Sequence, residues 1–444
     1  MARNVLLSFL GLSDYKPCFY TYQGETSSYT RFVQTAIYEL FKKDGEMDVV
    51  IFSTKEAEKN NWIDRVNEEN QLVEGLKTTF HRIDPKANIK LVVIDSSQDE
   101  RANWQLFDAI LNEIQEGDCI YFDITHSFRT IPFVSLIVLN YARLVKKASI
   151  GKIMYGFFEK LGNPRKVDNI PAEKRLVPII DVTNMAALLD WTNGVDQFIR
   201  TGDATVIQQF TSNEVKKIYT DPDSTIEERK QVSELRELAN QLDMVGKLMQ
   251  TARSLQIAEE IKKFREQLNK VRNIETDTVK PLIPLLDEME KKYENFTEDP
   301  FQNLFAMADW CEKNQLIQPG LTLLQENVVT AICRLFRLDE TNKNIRTDLH
   351  SAIRILLERI PEEDWQVKNP LFVADIVEKL KPYRDLLKPF NPITEYRNDI
   401  NHAGTRTDAR PPQKFYQQLS DSIQKFKPFF EEVSNLSKNY NLKE

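Results

Sequence analysis

Arg397 and His402 stand with four residues between them in EYRNDINHAGT (395–405), in a chain that has only four histidines among its 444 residues. A guanidinium that can neutralise a phosphorane, an imidazole that titrates near neutrality, and the amides of Asn398 and Asn401 between them suit one chemistry. That chemistry is RNA cleavage by the neighbouring 2′-hydroxyl, which needs neither metal nor external nucleophile. Asn391 as a cap, Pro392 in a first turn and Gly404 as a stop predict a short helix here. On such a helix the two residues would be roughly 140° apart around the axis and about 7.5 Å apart along it. They share no face, so a second chain supplying the other half of the site is the more economical arrangement. Arg-x4-His is also a pattern that chance supplies often, and an exposed arginine beside a capping histidine is the competing reading.

A second stretch, YFDITHSFRTIP (121–132), reads as a buried strand running into Asp123. Polar Thr125, His126, Ser127 and Arg129 follow at its carboxyl end, and a helix is expected to start near Pro132. Ligands of open α/β sheets bind beyond the carboxyl ends of strands, where helix N-termini offer N–H groups and positive potential. Neighbouring strand ends add LGLSD (10–14), with Leu12 and Ser13, then Thr54 and Lys55, then Ser96, Ser97 and Gln98. There is no GxGxxG after the first strand and no GxxxxGK[ST] anywhere, so dinucleotide binding and P-loop hydrolysis lack their phosphate cradles. The competing reading makes Asp123 and Thr125 helix caps and leaves His126 and Arg129 on the surface.

The elements that must position these residues change character along the chain. Apolar, β-branched runs at 4–10, 48–54, 89–95 and 119–125 alternate with helical patterns, among them TRFVQTAIYELFKK, WIDRVNEENQLVEGLKTTF and WQLFDAILNEIQ. The alternation predicts a parallel sheet with covering helices, continued by a helix from Ile131 and strands at KIMYGFFE and LVPIIDV. The fold class expected is an α/β Rossmann-like N-terminal domain over 1–184 followed by helices only. A helical linker or arm is expected over 185–299, its charged face solvated, and a helical C-terminal domain over 300–444 after the junction at TEDP (297–300).

Composition narrows the function classes. The formal charge of −8 argues against a basic surface that coats nucleic acid, but permits a local basic pocket. Cys18, Cys119, Cys311 and Cys333 have no CxxC spacing and read as buried free thiols, which fits a reducing cytoplasmic setting. The longest apolar run is too short to span a bilayer, so no membrane association is expected. His81, His126, His350 and His402 are dispersed without HExxH spacing, so no metal site is expected, and His350 reads as part of an amphipathic helix. The five tryptophans read as core residues.

Through FLGLSDY, FDITHSFRTIP, IMYGFFE and PIIDVTNMAALLDWTNGVDQFIRTGDA the N-terminal part resembles a CARF domain. Through QPGLTLLQEN and YRNDINHAG the C-terminal part resembles HEPN. Together they resemble the CRISPR-associated CARF–HEPN ribonucleases of the Csx/Csm type that accompany type III interference complexes. The resemblance covers most of residues 4–205 and 300–430 and leaves 221–297 unmatched.

The resemblance implies an allosteric activator, a cyclic oligoadenylate, and in particular cyclic tetra-adenylate, bound across a dimer two-fold. Thr125, His126, Ser127 and Arg129 would form the pocket floor, with Leu12, Ser13, Thr54 and Ser96 at the adjoining strand ends. It implies a homodimer whose two HEPN halves pool Arg397 and His402, with Asn398 positioning them, to cut single-stranded RNA without a cofactor. Ends with 2′,3′-cyclic phosphate and 5′-hydroxyl are then expected. Where the family commonly has glycine after the Thr-His pair, this chain has Ser127, which alters the pocket and leaves the ring size open. Two alternatives are a nucleotide-sensing regulator without nuclease activity, and a CARF ring nuclease that destroys its own cyclic adenylate.

Overall fold

In the computed structural model, residues 3–441 are described apart from 43–45, 68–69, 98, 127–130, 221, 223, 275–281, 406 and 408. The chain forms two compact units, Met1–Ala187 and Leu188–Glu444. The first unit contains β1 (Asn4–Leu10), β2 (Phe19–Tyr22), β3 (Glu25–Thr26), α1 (Val33–Phe41), β4 (Met47–Ser53) and the short α2 (Lys55–Ala57). It continues with β5 (Arg65–Val66), β6 (Leu72–Val73), α3 (Leu76–Ile83), β7 (Ile89–Val93) and α4 (Glu100–Glu113). It ends with β8 (Cys119–Asp123), α5 (Ile131–Val145), β9 (Ser149–Gly156), β10 (Leu176–Asp181) and the start of α6 (Thr183–Thr201).

The large sheet has the order β3-β2-β10-β9-β8-β1-β4-β7. β1 pairs in parallel with β4 and β8, and β4 with β7 and β8 with β9 extend the parallel set on either side. The chain therefore leaves β1 in one direction through β4 and β7, then returns to the other side for β8 and β9. The carboxyl ends of β1 and β8 flank the point where this order reverses, which is where open α/β sheets hold ligands.

The sequence of β1 shows why this strand is central. Leu6 and Leu10 enter the core under α1 and α3, whereas Val5, Leu7 and Phe9 enter the core under α4 and α5. A strand buried on both faces reads as one apolar run, and Ser8, also buried, is its only polar interior residue.

Three expectations need correction in this unit. The sheet is mixed, because β10 runs antiparallel to β9 and β2 joins β10 in parallel beyond it. The connection from β9 to β10 contains only short 3₁₀ turns, and without a crossover helix the chain returns antiparallel. The predicted helix over 62–80 is instead a π-turn (Glu58–Trp62), the hairpin β5–β6, and helix only from Leu76. Asn67 and Asn70 override the helical periodicity: the Asn67 side chain accepts from the Gln71 N–H at 2.8 Å, and Asn70 takes φ +61°, a left-handed conformation that asparagine tolerates. Trp104 is 61% exposed rather than in the core.

The second unit is helical: α6 continues into it, followed by α7 (Thr205–Thr220), α8 (Ile226–Gln250), α9 (Ser254–Arg272) and α10 (Ile283–Lys291). Then come α11 (Pro300–Lys313), α12 (Ile317–Leu335), α13 (Lys343–Glu358), α14 (Pro370–Leu380), the single turn α15 (Arg384–Leu387), α16 (Phe390–Asn401) and α17 (Pro412–Asn441). The charged middle stretch is no solitary arm. It folds into the hairpin α8–α9 about Ala252, whose φ is +54°, and buries Leu238, Leu242 and Val245 with Ile261, Phe264 and Leu268. An apolar stripe of that width must be covered, and the break carries no glycine or proline to announce it. The solvated charge on its outer face agrees with expectation, as with Glu227, Arg236 and Glu259, all exposed.

Two cores meet at α11. Met307, Trp310 and Cys311 enter the core built on α6–α10, and Phe301, Leu304 and Ala308 enter that of α12–α17. The TEDP stretch caps this shared helix, with the Asp299 carboxylate accepting from the Phe301 and Gln302 N–H groups. All four cysteines are free; three are buried and Cys119 is half-buried.

Gly156 lets β9 approach the turn after β8. Its N–H donates to Thr125 Oγ1 at 2.8 Å, and a Cβ there would lie 2.7 Å from Cγ2 of buried Val33 and 3.4 Å from Thr125 Oγ1. Overpacking of this kind costs about 1–3 kcal/mol. Gly156→Ala is expected to lower stability by that amount in urea unfolding; an unchanged midpoint would show that β9 can yield.

Candidate functional site

A cavity of about 330 Å³ opens at the reversal point of the sheet. It is lined by Gly11, Leu12, Ser13 and Tyr15 after β1, Thr54 after β4, Ile94 after β7, and Thr125 and His126 after β8. Leu12, Ser13, Thr54, Thr125 and His126 are thus brought together. Ser96 is exposed and lies outside the lining, which takes apolar Ile94 from that strand end. Ser127 and Arg129, like Gln98, lie outside the described residues.

The loop after β1 is held by two side chains that sequence reasoning gave no role. Asn61, buried in the π-turn, donates from Nδ2 to the carbonyls of Gly11 at 2.9 Å and Ser13 at 3.0 Å. The Gly11 N–H donates to the Tyr15 hydroxyl at 2.7 Å, and the Tyr15 ring lies 4.2 Å from that of His126. Tyr15 belongs to the FLGLSDY stretch, the one signal that pointed at it; Asn61 left none, because its position depends on the π-turn.

Asp123 is fully buried at the end of β8. One carboxylate oxygen accepts from Ser8 Oγ at 2.6 Å and the other from the Thr125 N–H at 2.9 Å and Thr125 Oγ1 at 2.5 Å. Burial raises its pKa against the effect of these donors. The single hydroxyl proton of Thr125 is therefore committed to Asp123, and Thr125 lines the cavity as a built-in support.

His126 is half-buried, and its Nε2 has neither solvent contact nor a hydrogen-bond partner among the described residues. Burial pushes the imidazole down to about 4, against the opposing pull of Glu159. At neutral pH it is an uncharged donor and acceptor facing a cavity. An unpaired buried polar atom is costly, and a ligand atom would relieve that cost.

In the second unit α16 carries the Arg-x4-His stretch. Its N-cap is Pro389, and Asn391 instead donates to Glu358 Oε1 at 3.1 Å, so the capping expectation for Asn391 fails. The helix ends at Asn401, and His402 is the exposed C-cap, followed by Ala403 and Gly404 at φ +53° and +68°. The stop at Gly404 is as expected. Asn398 is exposed, and its carbonyl accepts from the His402 N–H at 3.0 Å. Beyond the turn, Arg410 donates to buried Asp399 from its N–H at 3.1 Å and lies 4.4 Å over the Tyr396 ring, which ties the segment back to the helix.

Arg397 is half-buried and no hydrogen bond joins it to His402 among the described residues. Its Nη2 lies 3.6 Å from Glu326 Oε1, while its buried Nε has no hydrogen-bond partner among the described residues. Glu326, on α12, is held from the other side by Arg346, whose Nη2 reaches Oε2 at 2.6 Å and the Glu326 carbonyl at 3.0 Å. His350 Nε2 lies 3.8 Å from Oε1, so this histidine of the amphipathic α13 faces the same carboxylate. Burial opposes ionisation of Glu326, yet the interactions with His350 and Arg346 outweigh it and hold its pKa at about 2. One carboxylate thus faces two guanidiniums and an imidazole, which leaves Arg397 free to engage an anion. The sequence signal for Glu326 was its polarity within the apolar run of α12.

Residues 5–159 match the family described as CRISPR system endoribonuclease Csx1, CARF domain. Residues 187–300 match CRISPR-associated protein MJ1674, second domain. CRISPR-associated protein MJ1674 of Methanocaldococcus jannaschii is 26% identical to this chain over 247 residues, which are 54% of this chain and 33% of that protein. The aligned part is therefore about a third of the relative's length. These similarities support a CRISPR-associated protein with an N-terminal CARF domain. The cavity lies inside the first match, whereas Arg397 and His402 lie beyond both family matches.

Two half-buried groups make stability fall on acidification. His126 binds its proton more weakly folded, at about 4, than at the ordinary 6.5, so the folded state loses stability as pH falls through that window. Glu326 is held at about 2 against an ordinary 4.5, and its contribution is complete above 4.5 and lost towards 2. Melting temperatures of wild type, His126→Gln and Glu326→Gln across pH 3–8 are expected to show a shallower fall near pH 4–6.5 in the first variant and below 4.5 in the second. Parallel curves for all three proteins would refute both assignments.

Proposed function

We propose that this chain is a cyclic-oligoadenylate-activated endoribonuclease of type III CRISPR defence, with a sensor over 1–184, a helical segment over 185–299 and a HEPN-type nuclease over 300–444. The observation that carries the reading is the cavity at the β1/β8 reversal point, lined in part by His126, inside the span that matches a Csx1 CARF domain. CARF domains bind cyclic oligoadenylates generally, and the family matched is named for endoribonuclease activity. Ser127 and Arg129 complete the proposed pocket.

In the nuclease part Arg397 stabilises the phosphorane, His402 exchanges protons with the 2′-hydroxyl and leaving oxygen, and Asn398 positions one or both. Arg397 reaches into the half-buried Glu326 cluster while His402 ends the helix in the open, an arrangement that favours completion of the site by a second subunit. No metal enters this reaction. The exposed stripe Phe133, Ile137, Tyr141 and Leu144 on α5, with Trp104 beside it through Phe107, suits a homodimer contact of the sensor halves. Ligand shifts activity only by binding the active dimer more tightly. No helix among the described residues is long and apolar enough to cross a membrane, in keeping with a cytoplasmic setting.

His126, neutral at the cavity and without a hydrogen-bond partner for Nε2 among the described residues, also favours a second activity, slow linearisation of the bound ring. Labelled cyclic tetra-adenylate turning linear in an Arg397→Ala/His402→Ala protein would establish it.

Degradation of single-stranded RNA in EDTA, with cyclic tri-, tetra- and hexa-adenylate, tests the main reading. His402→Ala is expected to lose at least about 10³-fold in cleavage rate and to keep ligand affinity; full activity would reject the assignment. Wild type that binds a cyclic adenylate but never cuts would instead make the chain a regulator. Leu144→Glu is expected to give monomers in sedimentation and to lose cleavage; an active dimer would move the contact elsewhere.

A further inference from the structure

Between Ser13 and Tyr15, which line the cavity, stands Asp14, 64% exposed and among cations buried more deeply than itself. Arg65 Nη2 lies 3.2 Å and Arg31 Nη1 3.9 Å from Asp14 Oδ1, and Lys16 Nζ lies 3.7 Å from Oδ2. Lys16 is better served by Asp168 at 2.9 Å. Arg31, with only 14% of its side chain exposed, spends one donor on the Glu74 carbonyl at 2.9 Å and lies 4.5 Å over the Phe32 ring. Arg65 Nε is cut off from solvent with no hydrogen-bond partner among the described residues. The nearest other acid in sequence, Asp64, gives its carboxylate to the Gly75 N–H at 2.7 Å.

Two partly buried guanidiniums thus share one weakly placed, solvent-facing carboxylate. Their mutual repulsion is visible in Arg31, whose pKa burial lowers first and Arg65 lowers further. In a protein of charge −8 this is a focused positive site, and its Asp14 is flanked in the chain by Ser13 and Tyr15 of the cavity lining. Planar guanidiniums bind two oxygens of one phosphate in a fork, which a carboxylate at 3.2–3.9 Å does not satisfy.

We propose that Arg65 and Arg31 form a phosphodiester-binding subsite on the rim of the cavity, with Asp14 as the resting counter-ion that ligand displaces. Arg65 sits on β5, in the hairpin that sequence periodicity had read as helix, so the subsite exists only through that hairpin. The proposal rests on the reading of the cavity as a cyclic-oligoadenylate site.

The test is calorimetric binding by the full chain of cyclic tetra-adenylate, linear tetra-adenylate and inorganic pyrophosphate, at several salt concentrations. Arg65→Gln is expected to weaken cyclic tetra-adenylate at least about tenfold, with the salt slope reduced by about 1 and an unchanged melting temperature. Wild-type affinity and salt slope in the variant would overturn the subsite. If wild type binds no cyclic tetra-adenylate, that ring is not its ligand, and the functional reading fails only if cyclic tri- and hexa-adenylate also leave RNA cleavage unchanged. Arg65-dependent binding of the linear form or pyrophosphate then still supports the subsite, and no binding in any arm overturns it. Should Arg65→Gln fail to fold, Arg65→Lys keeps the charge without the fork. A several-fold loss of affinity in that variant supports the proposal, and none overturns it.

Discussion

The carboxylate of Asp123, sealed inside the sheet, is the constraint on which the N-terminal unit depends. A buried carboxylate survives only if its oxygens are satisfied, and here Ser8 on β1 and Thr125 after β8 do this together. The two strands at the reversal point are thereby locked in register, and the chain after β8 is forced to turn at Thr125. The cavity, with His126 at its side, follows from that turn. The same device recurs at Asp181, which accepts from the Thr183 N–H and Oγ1 at the start of α6. Strand β9 joins the two, because its Gly156 and Ile153 N–H groups donate to Thr125 and Thr183 in turn. The cavity turn and the helix that leads out of the sheet therefore hang on one strand.

The two clusters of opposite role are built in opposite ways. Around Asp123 every donor has an acceptor, which makes a rigid support. Among the described residues, cations outnumber carboxylates around Asp14 and around Glu326, and buried guanidinium nitrogens of Arg65 and Arg397 lack hydrogen-bond partners. Natural interiors satisfy nearly all such atoms, so under-satisfied cations beside a cavity or an exposed imidazole point to an anion that binds there. Both clusters are local, so the proposed phosphate chemistry is compatible with an acidic chain.

Much of the scaffold was legible in the sequence. The strands at β1, β4, β7 and β8 are apolar runs of the length buried parallel strands need, and the polar residues that end them mark the cavity loops. The helices after Thr183 were legible from their periodicity, as was the stop at Gly404. What misled was local: the asparagines that make a hairpin of 65–73, the unannounced break at Ala252, and the antiparallel return of β10. In each case a turn conformation or a short connection won over an apolar period that fitted helix or parallel strand equally well.

By itself the sequence determined the alternation of strand and helix, the acidic charge, and which stretches carry groups able to handle a phosphodiester, because these depend on residue type and near spacing. Only the tertiary structure decided that Thr125 is a support rather than a free donor and that His126 is half-buried and neutral. It alone set Glu326 and His350 against Arg397, and Arg65 beside Arg31. Those properties arise from desolvation and from distances of a few ångströms between residues up to some seventy positions apart, and neither is encoded in any local pattern.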